Sequence, residues 1–268
     1  MKRLILAATM ATGLAGMANA HADDALKAAI AGAERTPANV TRDAARHPYE
    51  TLSFFGIKPT MTVVELSPGG GWYTEILGPY LAPKGKLIAA GESPESTNPN
   101  AKRSAENFGK KIEAKPALFG KLQRGVFEVG TGTFNYAPAG SVDMVVTFRN
   151  LHNWMGAGDD KLKAIFGSVH TALKPGGVFG VVDHRLPAAK PADPKSGYLH
   201  QDAVIKLIES HGFKLVAKSE VNANPKDTAD YEKGVWSLPP VLANKDVDRE
   251  KYLAIGESDR MTLKFVKK

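Results

Sequence analysis

Residues 63–74 read VVELSPGGGWYT: a short apolar run that ends on a glutamate, a proline, three consecutive glycines and the start of a helical pattern. A strand that stops in a glycine turn and hands over to a helix is the opening unit of a crossover fold, and here the unit repeats. Strand-like runs at 62–66 (TVVEL), 86–90 (KLIAA), 142–148 (VDMVVTF), 177–183 (GVFGVVD) and 213–221 (FKLVAKSEV) alternate with helical runs at 72–81, 159–173 and 200–212. That rhythm predicts an α/β fold: a Rossmann-like parallel sheet with helices on both faces. Gly85, Gly176-Gly177 and Gly212 stand where helices give way to strands, the expected place for C-terminal caps. The last run, 260–266 (RMTLKFV), follows a long polar stretch at 222–252, which reads as an insertion before the final strand and, at that length, as one with a function.

The ends of the chain divide it. Lys2 and Arg3 precede an apolar stretch from Leu4 to Leu14, with small residues at Ala18 and Ala20, so residues 1–20 read as a cleaved secretory signal; a second A-x-A allows the cut after residue 22. The stretch is too short to span a bilayer, and the expected location is periplasmic or secreted, with no stable membrane anchor after the signal is removed. Residues 23–60 read as an N-terminal helical extension and 61–268 as the α/β domain. The chain has no cysteine, which excludes disulfides, thiolate metal sites, thiol nucleophiles and a lipoprotein anchor. Without Lys2 and Arg3 the net charge falls from +7 to +5, spread over separated lysines rather than gathered in a block with aromatics. Nucleic acid is therefore not the expected partner; a small molecule is.

Three glycine-loop chemistries compete for residues 65–74. A phosphate-binding P-loop requires Lys-Ser/Thr after its last glycine, and here Trp72-Tyr73 follows. The dinucleotide fingerprint requires a small residue three positions after Gly71, where Thr74 stands. What remains is an acidic strand end followed by a glycine turn with no phosphate cradle, which suits a ligand that is cationic or rich in hydroxyls. At this point the chain resembles the class I S-adenosylmethionine-dependent methyltransferases. Over residues 35–268, the phrases "RHPYETLSFFGIKPTMTVVELSPGGGWYTEIL", "VDMVVTFRNLHNWM", "LKPGGVFGVVDHR" and "NPKDTADYEKGVWSLPP" are similar to a bacterial exported group of predicted methyltransferases. The resemblance implies a seven-stranded sheet and S-adenosylmethionine as cofactor. It also implies that Glu65, Ser67, Gly69, Gly70 and Gly71 line the methionine end and that Asn150 borders the cofactor. Glu92 is the expected ribose partner, one residue past the aligned Gly91, and Thr131 stands in for an absent acid beside the adenine.

Ligands of open α/β sheets lie beyond the carboxyl ends of the strands. The strand at 142–148 delivers Arg149, Asn150, His152, Asn153 and Trp154; the strand at 177–183 delivers Asp183, His184 and Arg185. Burying so many polar groups is costly unless they pair with one another or with a ligand. His152 and His184 are the candidate general bases, with Asp183 orienting one of them. Arg149, Trp154, Arg185 and Tyr198 are the candidate substrate contacts, Arg185 for an acidic group. Tyr198 with His200 suggests a lid edge, and Trp236 a cover over the crevice. The stretch after the strand at 142–148 is Arg-Asn-Leu-His, not the Asn/Asp-Pro-Pro-aromatic of enzymes that methylate amines of bases or glutamine. Two other readings stay open: a periplasmic binding or chaperone-like protein that retains the fold without methyl transfer, and a metal site built from His152, Asp183, His184 and His200 for hydrolysis.

Overall fold

A computed structural model describes residues 23–268; the residues read as an export signal lie outside them. Four short helices come first, α1 (Asp24–Ile30), α2 (Pro37–Val40), α3 (Asp43–Arg46) and α4 (Pro48–Phe55). Then follow β1 (Thr62–Leu66), α5 (Thr74–Leu81), β2 (Lys86–Gly91), α6 (Pro99–Ala114), α7 (Pro116–Phe119), β3 (Gln123–Glu128), β4 (Thr133–Asn135) and β5 (Val142–Phe148). The second half holds α8 (Leu151–Met155), α9 (Asp159–Ala172), β6 (Leu173–Leu186), β7 (Leu199–His200), α10 (Gln201–Glu209) and β8 (Phe213–Ser219). A 3-10 turn (Gly234–Ser237), α11 (Arg249–Ile255) and β9 (Arg260–Lys267) complete it. No helix among the described residues is long and apolar enough to cross a membrane.

The strands form one sheet in the order β4-β3-β2-β1-β5-β6-β9-β8, with β7 beside β6. Neighbours from β3 to β6 run parallel, and β9 is antiparallel to both β6 and β8. The count is nine where the sequence suggests seven, because the three-residue β4 folds back on β3 and the two-residue β7 adds to β6. Both additions are too short to carry a periodic signal.

The central strands are apolar throughout because both faces are covered. Side chains alternate between two cores, as the pleat requires. Val64, Leu66, Val145 and Val181 pack with α8, α9 and α10 through Leu151, Trp154, Phe166 and Ile208. Val63, Met144, Val146 and Val182 pack on the other face with Leu26, Phe55, Trp72, Ile76 and Leu77. The N-terminal helices thus cover the sheet beside α5. Of the glycines read as caps, Gly212 has φ +89°, whereas Gly85 is needed for close approach: a Cβ there would lie 2.5 Å from the Met61 carbonyl oxygen.

After β1 the chain moves outward to β2 and β3, then returns to the other side of β1 as β5. Its carboxyl end therefore borders a topological switch point, where such sheets open a crevice. Ser67 follows β1 there, and Asn150 follows β5.

Phe55 seals α4 to the middle of β6: a Cβ on Gly180 would lie 2.8 Å from its ring. Gly180→Ala is expected to destabilise the fold by about 1–3 kcal/mol through overpacking, measured by urea unfolding, and Phe55→Leu in the same chain should recover part of the loss.

Candidate active site at the strand ends

Pro68 and the glycines stop β1, and the backbone turns through left-handed conformations at Ser67 (φ +48°), Gly69 (φ +56°) and Gly71 (φ +74°). Glycine takes such angles freely; Ser67 takes one only where its surroundings enforce it. The enforcement comes from Asn150, whose Nδ2 donates to the Leu66 and Ser67 carbonyls, each at 3.2 Å, and to Thr147 Oγ1 at 3.1 Å. Lys111 on α6 reaches across to the Gly70 carbonyl at 2.5 Å. The turn borders two small cavities. One, of about 180 Å³, lies between Glu65, Ser67, Gly69, Tyr73, Arg42 and Arg46; the other, of about 150 Å³, lies between Pro68, Glu92, Phe108 and Arg124. Ser67, Pro68, Gly69 and Asn150 line both.

Two glutamates near the turn have opposite electrostatics. Glu65 at the end of β1 is buried, and burial raises its carboxyl to about 8 against the Thr74 hydroxyl, which donates to it at 2.6 Å, and the charge of Lys111. It is therefore protonated at neutral pH. Glu75, also buried, is held down to about 2: hydrogen bonds from Lys111, Thr36 and Asn39 outweigh its desolvation. Glu75 ties the N-terminal helices to α5, and Trp72 adds to the tie by donating from Nε1 to the Asn39 carbonyl at 2.8 Å.

Four arginines surround one carboxylate beside the first cavity. Arg42 Nε donates to Glu257 Oε1 at 2.7 Å, Arg46 Nε to Oε2 at 3.1 Å and Arg260 Nη1 to Oε2 at 2.7 Å, while Arg149 Nη1 stands 3.9 Å away. The cluster keeps three positive charges in excess. Burial alone would raise Glu257, but Arg46, Arg260 and Arg42 hold it at about 2. Burial lowers Arg46 to about 9, with Glu257 opposing and the other guanidiniums adding to the shift. Arg42 Nη2 and Arg46 Nη2 are buried with no hydrogen-bond partner among the described residues. Arg149 holds a left-handed backbone (φ +62°), strain that a non-glycine residue rarely bears.

Beyond Arg149, a third cavity of about 260 Å³ is lined by Asn150, His152, His184, Trp236 and Pro239, and it shares His152, Asn153 and Trp236 with a larger one of about 580 Å³. Asp183 is in step with Val181 and so faces α8, where His152 is the second residue. One carboxylate oxygen lies 2.8 Å from His152 Nδ1 and the other accepts from the His152 backbone at 3.2 Å. A carboxylate only accepts, so Nδ1 donates to it, and Nε2 has no hydrogen-bond partner among the described residues. His184 lies 2.5 Å from Ser258 Oγ through Nδ1, and its ring centre is 5.0 Å from that of His152. Burial first, then the neighbouring guanidiniums of Arg149, Arg260 and Arg46, push the His184 imidazole well below its ordinary value, so it is neutral. Trp236, from the insertion, stands edge-on to His152 at 6.1 Å.

The structure brings together Glu65, Ser67, Gly69, Gly70, Arg149 and Asn150 around the first cavity, Glu92 at the second, and His152, Asp183 and His184 in one cluster. Gly71 lies against Phe108, Thr74 and Lys111 at the start of the helix. Three expectations are corrected. Thr131 is exposed in the β3–β4 turn, bonded to Thr133 and away from both cavities; the acid at this edge is Glu128, buried and accepting from Ser96 at 2.6 Å. Trp154 is core, buried beside Phe127 on the α9 side of the sheet. Arg185 forks onto Asp259 and pairs with Glu220, so its charge is spent before any ligand arrives. Tyr198 does line the largest cavity, but its hydroxyl donates to Asp227. His200 shares that wall and lies outside the His152–Asp183–His184 group. Arg42, Arg46, Glu257 and Ser258 were not foreseen; no periodic or motif signal marks them.

The donor set around the glycine turn fits S-adenosylmethionine. Glu92 Oε2 is buried and unpartnered, placed for a hydroxyl, and the orphaned guanidinium nitrogens beside Glu65 offer a carboxylate partner next to a carboxyl group. The sequence matches no protein-family model and no curated protein. Solved structures do match in fold. A SAM-dependent methyltransferase from Aquifex aeolicus aligns over 85% of this chain and 93% of its own, with a TM-score of 0.58 and 15% identity. A geranyl diphosphate methyltransferase in complex with SAM aligns over 90% and 95%, with a TM-score of 0.56 and 13% identity. The [4+2]-cyclase SpnF aligns over 90% and 91%, with a TM-score of 0.54 and 12% identity. The architecture is thus the Rossmann-like fold of SAM-dependent methyltransferases.

Glu257 and Glu75 are both held at about 2, below their ordinary 4.5, so the stability they confer is complete above pH 4.5 and is lost as pH falls toward 2. Urea unfolding at pH 7, 5 and 3 should show that loss. Glu257→Gln should flatten the acid limb and cost about 3–5 kcal/mol at pH 7, because it leaves buried guanidiniums without their counter-ion.

Proposed function

We propose that the chain is an S-adenosylmethionine-dependent methyltransferase that acts on the hydroxyl of a small molecule, with His152 as general base. The observation that carries this reading is the Asp183–His152 pair. Its free Nε2 belongs to a cavity that shares Arg149 and Asn150 with the one beside the glycine turn. In this reading residues 1–20 direct export and are then removed.

The residues divide the work by their environments. Glu65 and the turn from Ser67 to Gly71 hold the methionyl end of the cofactor, Arg42 and Arg46 take its carboxylate, and Glu92 accepts from the ribose. When bound, S-adenosylmethionine supplies a methyl group on a sulfonium, which an oxygen nucleophile accepts as it gives up its proton. His152 Nε2 takes that proton, and the Asp183 carboxylate fixes the tautomer and steadies the imidazolium that results. His184 stays neutral and packs against His152, which keeps a second positive charge away from the base. Trp236 and the turn that carries it shield the site from water.

A metal-assisted reading draws less support from the same residues. Ligand atoms of His152, Asp183 and His184 lie within 4.8 Å of one another. Both oxygens of Asp183 are already accepting hydrogen bonds, His184 Nδ1 is engaged by Ser258, and the excess charge of the nearby arginines repels a cation.

Two outcomes are expected. His152→Ala should lower turnover by a factor of about 100–10,000 while calorimetry finds the affinity for S-adenosylhomocysteine unchanged; loss of both would mark His152 as structural. Glu65, protonated when free at about 8, should release a proton as the ligand ammonium arrives. Affinity for S-adenosylhomocysteine should then rise from pH 6 to 8, and titrations at pH 7 in buffers of different ionisation heat should detect a proton that is absent in Glu65→Gln.

A further inference from the structure

We propose that the acceptor is an organic acid with an apolar body: its anionic group rests on Arg149, its hydroxyl faces His152 Nε2, and its body fills the large cavity between Trp236 and Tyr198. The proposal rests on the methyl-transfer reading above and extends it to the class of substrate.

Three observations converge on it. The first is continuity. Arg149 and Asn150 line both the cofactor-side cavity and the middle one, while His152, Asn153 and Trp236 line both the middle one and the large one. A molecule that reaches the base therefore has Arg149 on one side of it and the large cavity on the other. The second is charge. Four guanidiniums face one carboxylate, and of these Arg149 is held least, with only the 3.9 Å approach to Glu257 and no hydrogen bond from its side chain to another described residue. Even with the cofactor's carboxylate on Arg42 and Arg46, the cluster keeps an excess of positive charge beside the sulfonium, and an acidic acceptor on Arg149 offsets part of it at the moment of reaction. Arg149 bears a strained backbone where it lines both the cofactor-side and the middle cavity.

The third is the shape and chemistry of the large cavity. Met155, Pro194, Tyr198, Leu199, Val204 and Trp236 make most of its wall apolar, with Asn153, Asp193 and His200 also lining it, and the one phenol has its hydroxyl committed to Asp227. Such a surface binds a ring or alkyl chain and offers little to a polar tail. Arg185, the arginine first expected to hold an acid, is neutralised by Asp259 and Glu220, which leaves Arg149 as the available guanidinium.

The test pairs hydroxylated aromatic and alkyl carboxylic acids with their own carboxamides and measures each by calorimetry on the mature protein saturated with S-adenosylhomocysteine. The binding of S-adenosylhomocysteine itself is measured separately. Acids should bind more tightly than their amides by a factor of roughly 10–100, the range of a charge-assisted hydrogen bond. Arg149→Gln should erase that preference, Arg149→Lys should keep part of it, and Arg185→Gln should leave it intact. Circular dichroism of each variant guards against misfolding, and the lysine variant keeps the test alive if glutamine unfolds the chain. Equal binding of acids and amides, a preference for amides, or no binding by any acid overturns the proposal. If S-adenosylhomocysteine binds in that case, only the acceptor class falls. If it fails to bind while acids still do so through Arg149, the acid site stands and methyl transfer falls.

Discussion

A single carboxylate, Glu257, ties together three parts of the chain that are far apart in sequence. Arg42 and Arg46 come from the N-terminal helices, Arg149 from the end of β5, and Arg260 from the first position of β9. Without Glu257 the four guanidiniums would repel one another and the N-terminal helices would lose one of their polar anchors to the sheet. Yet the cluster is a poor device for stability alone. Burying Arg46, Arg260 and Glu257 and half-burying Arg42 and Arg149 is costly, one carboxylate does not balance four cations, and an apolar set of similar volume would pack more cheaply. Excess charge and orphaned donors beside a cavity are what a binding site retains and a core eliminates.

The same geometry separates two proton-handling groups. Glu65 lies on the α5 side of the sheet, where burial favours its neutral form, and Asp183 lies in step with the opposite core. Asp183 accepts from two backbone amides as well as from His152, so its charge is met by fixed donors rather than by water. Two carboxyl groups, on strands separated by β5, thus sit in different surroundings: burial favours the neutral form of Glu65, and fixed donors meet both oxygens of Asp183.

Much of this was legible in the sequence, and the failures have identifiable causes. Periodicity revealed the sheet because every long central strand is covered on both faces; β4 and β7 escaped because three and two residues carry no period. The polar bursts after β5 and β6 pointed to His152, Asp183 and His184, since strand ends must converge in this topology. Trp154 was misread because α8 turns its fourth residue back toward the sheet, a rotation that a five-residue helix does not advertise. Arg185 was misread because its partners Asp259 and Glu220 flank the insertion and are adjacent only after folding. The arginines at 42 and 46 and Glu257 were invisible for the same reason: the cluster exists only in three dimensions.

The cyclase among the structural neighbours sharpens what the fold by itself leaves open. A sheet that bends around a glycine turn provides a place for adenosyl chemistry, but it does not require that a methyl group leave. The distinction rests on whether a group able to accept a proton stands on the acceptor side of that turn. Here the imidazole is oriented by a buried carboxylate, its second nitrogen has no hydrogen-bond partner among the described residues, and a neutral histidine and a tryptophan edge close around it. A pocket that only bound a ligand would have no use for an imidazole held to one tautomer at the cost of burying its partner's charge. The expense of that arrangement is the physical reason to read the crevice as a place where a proton moves.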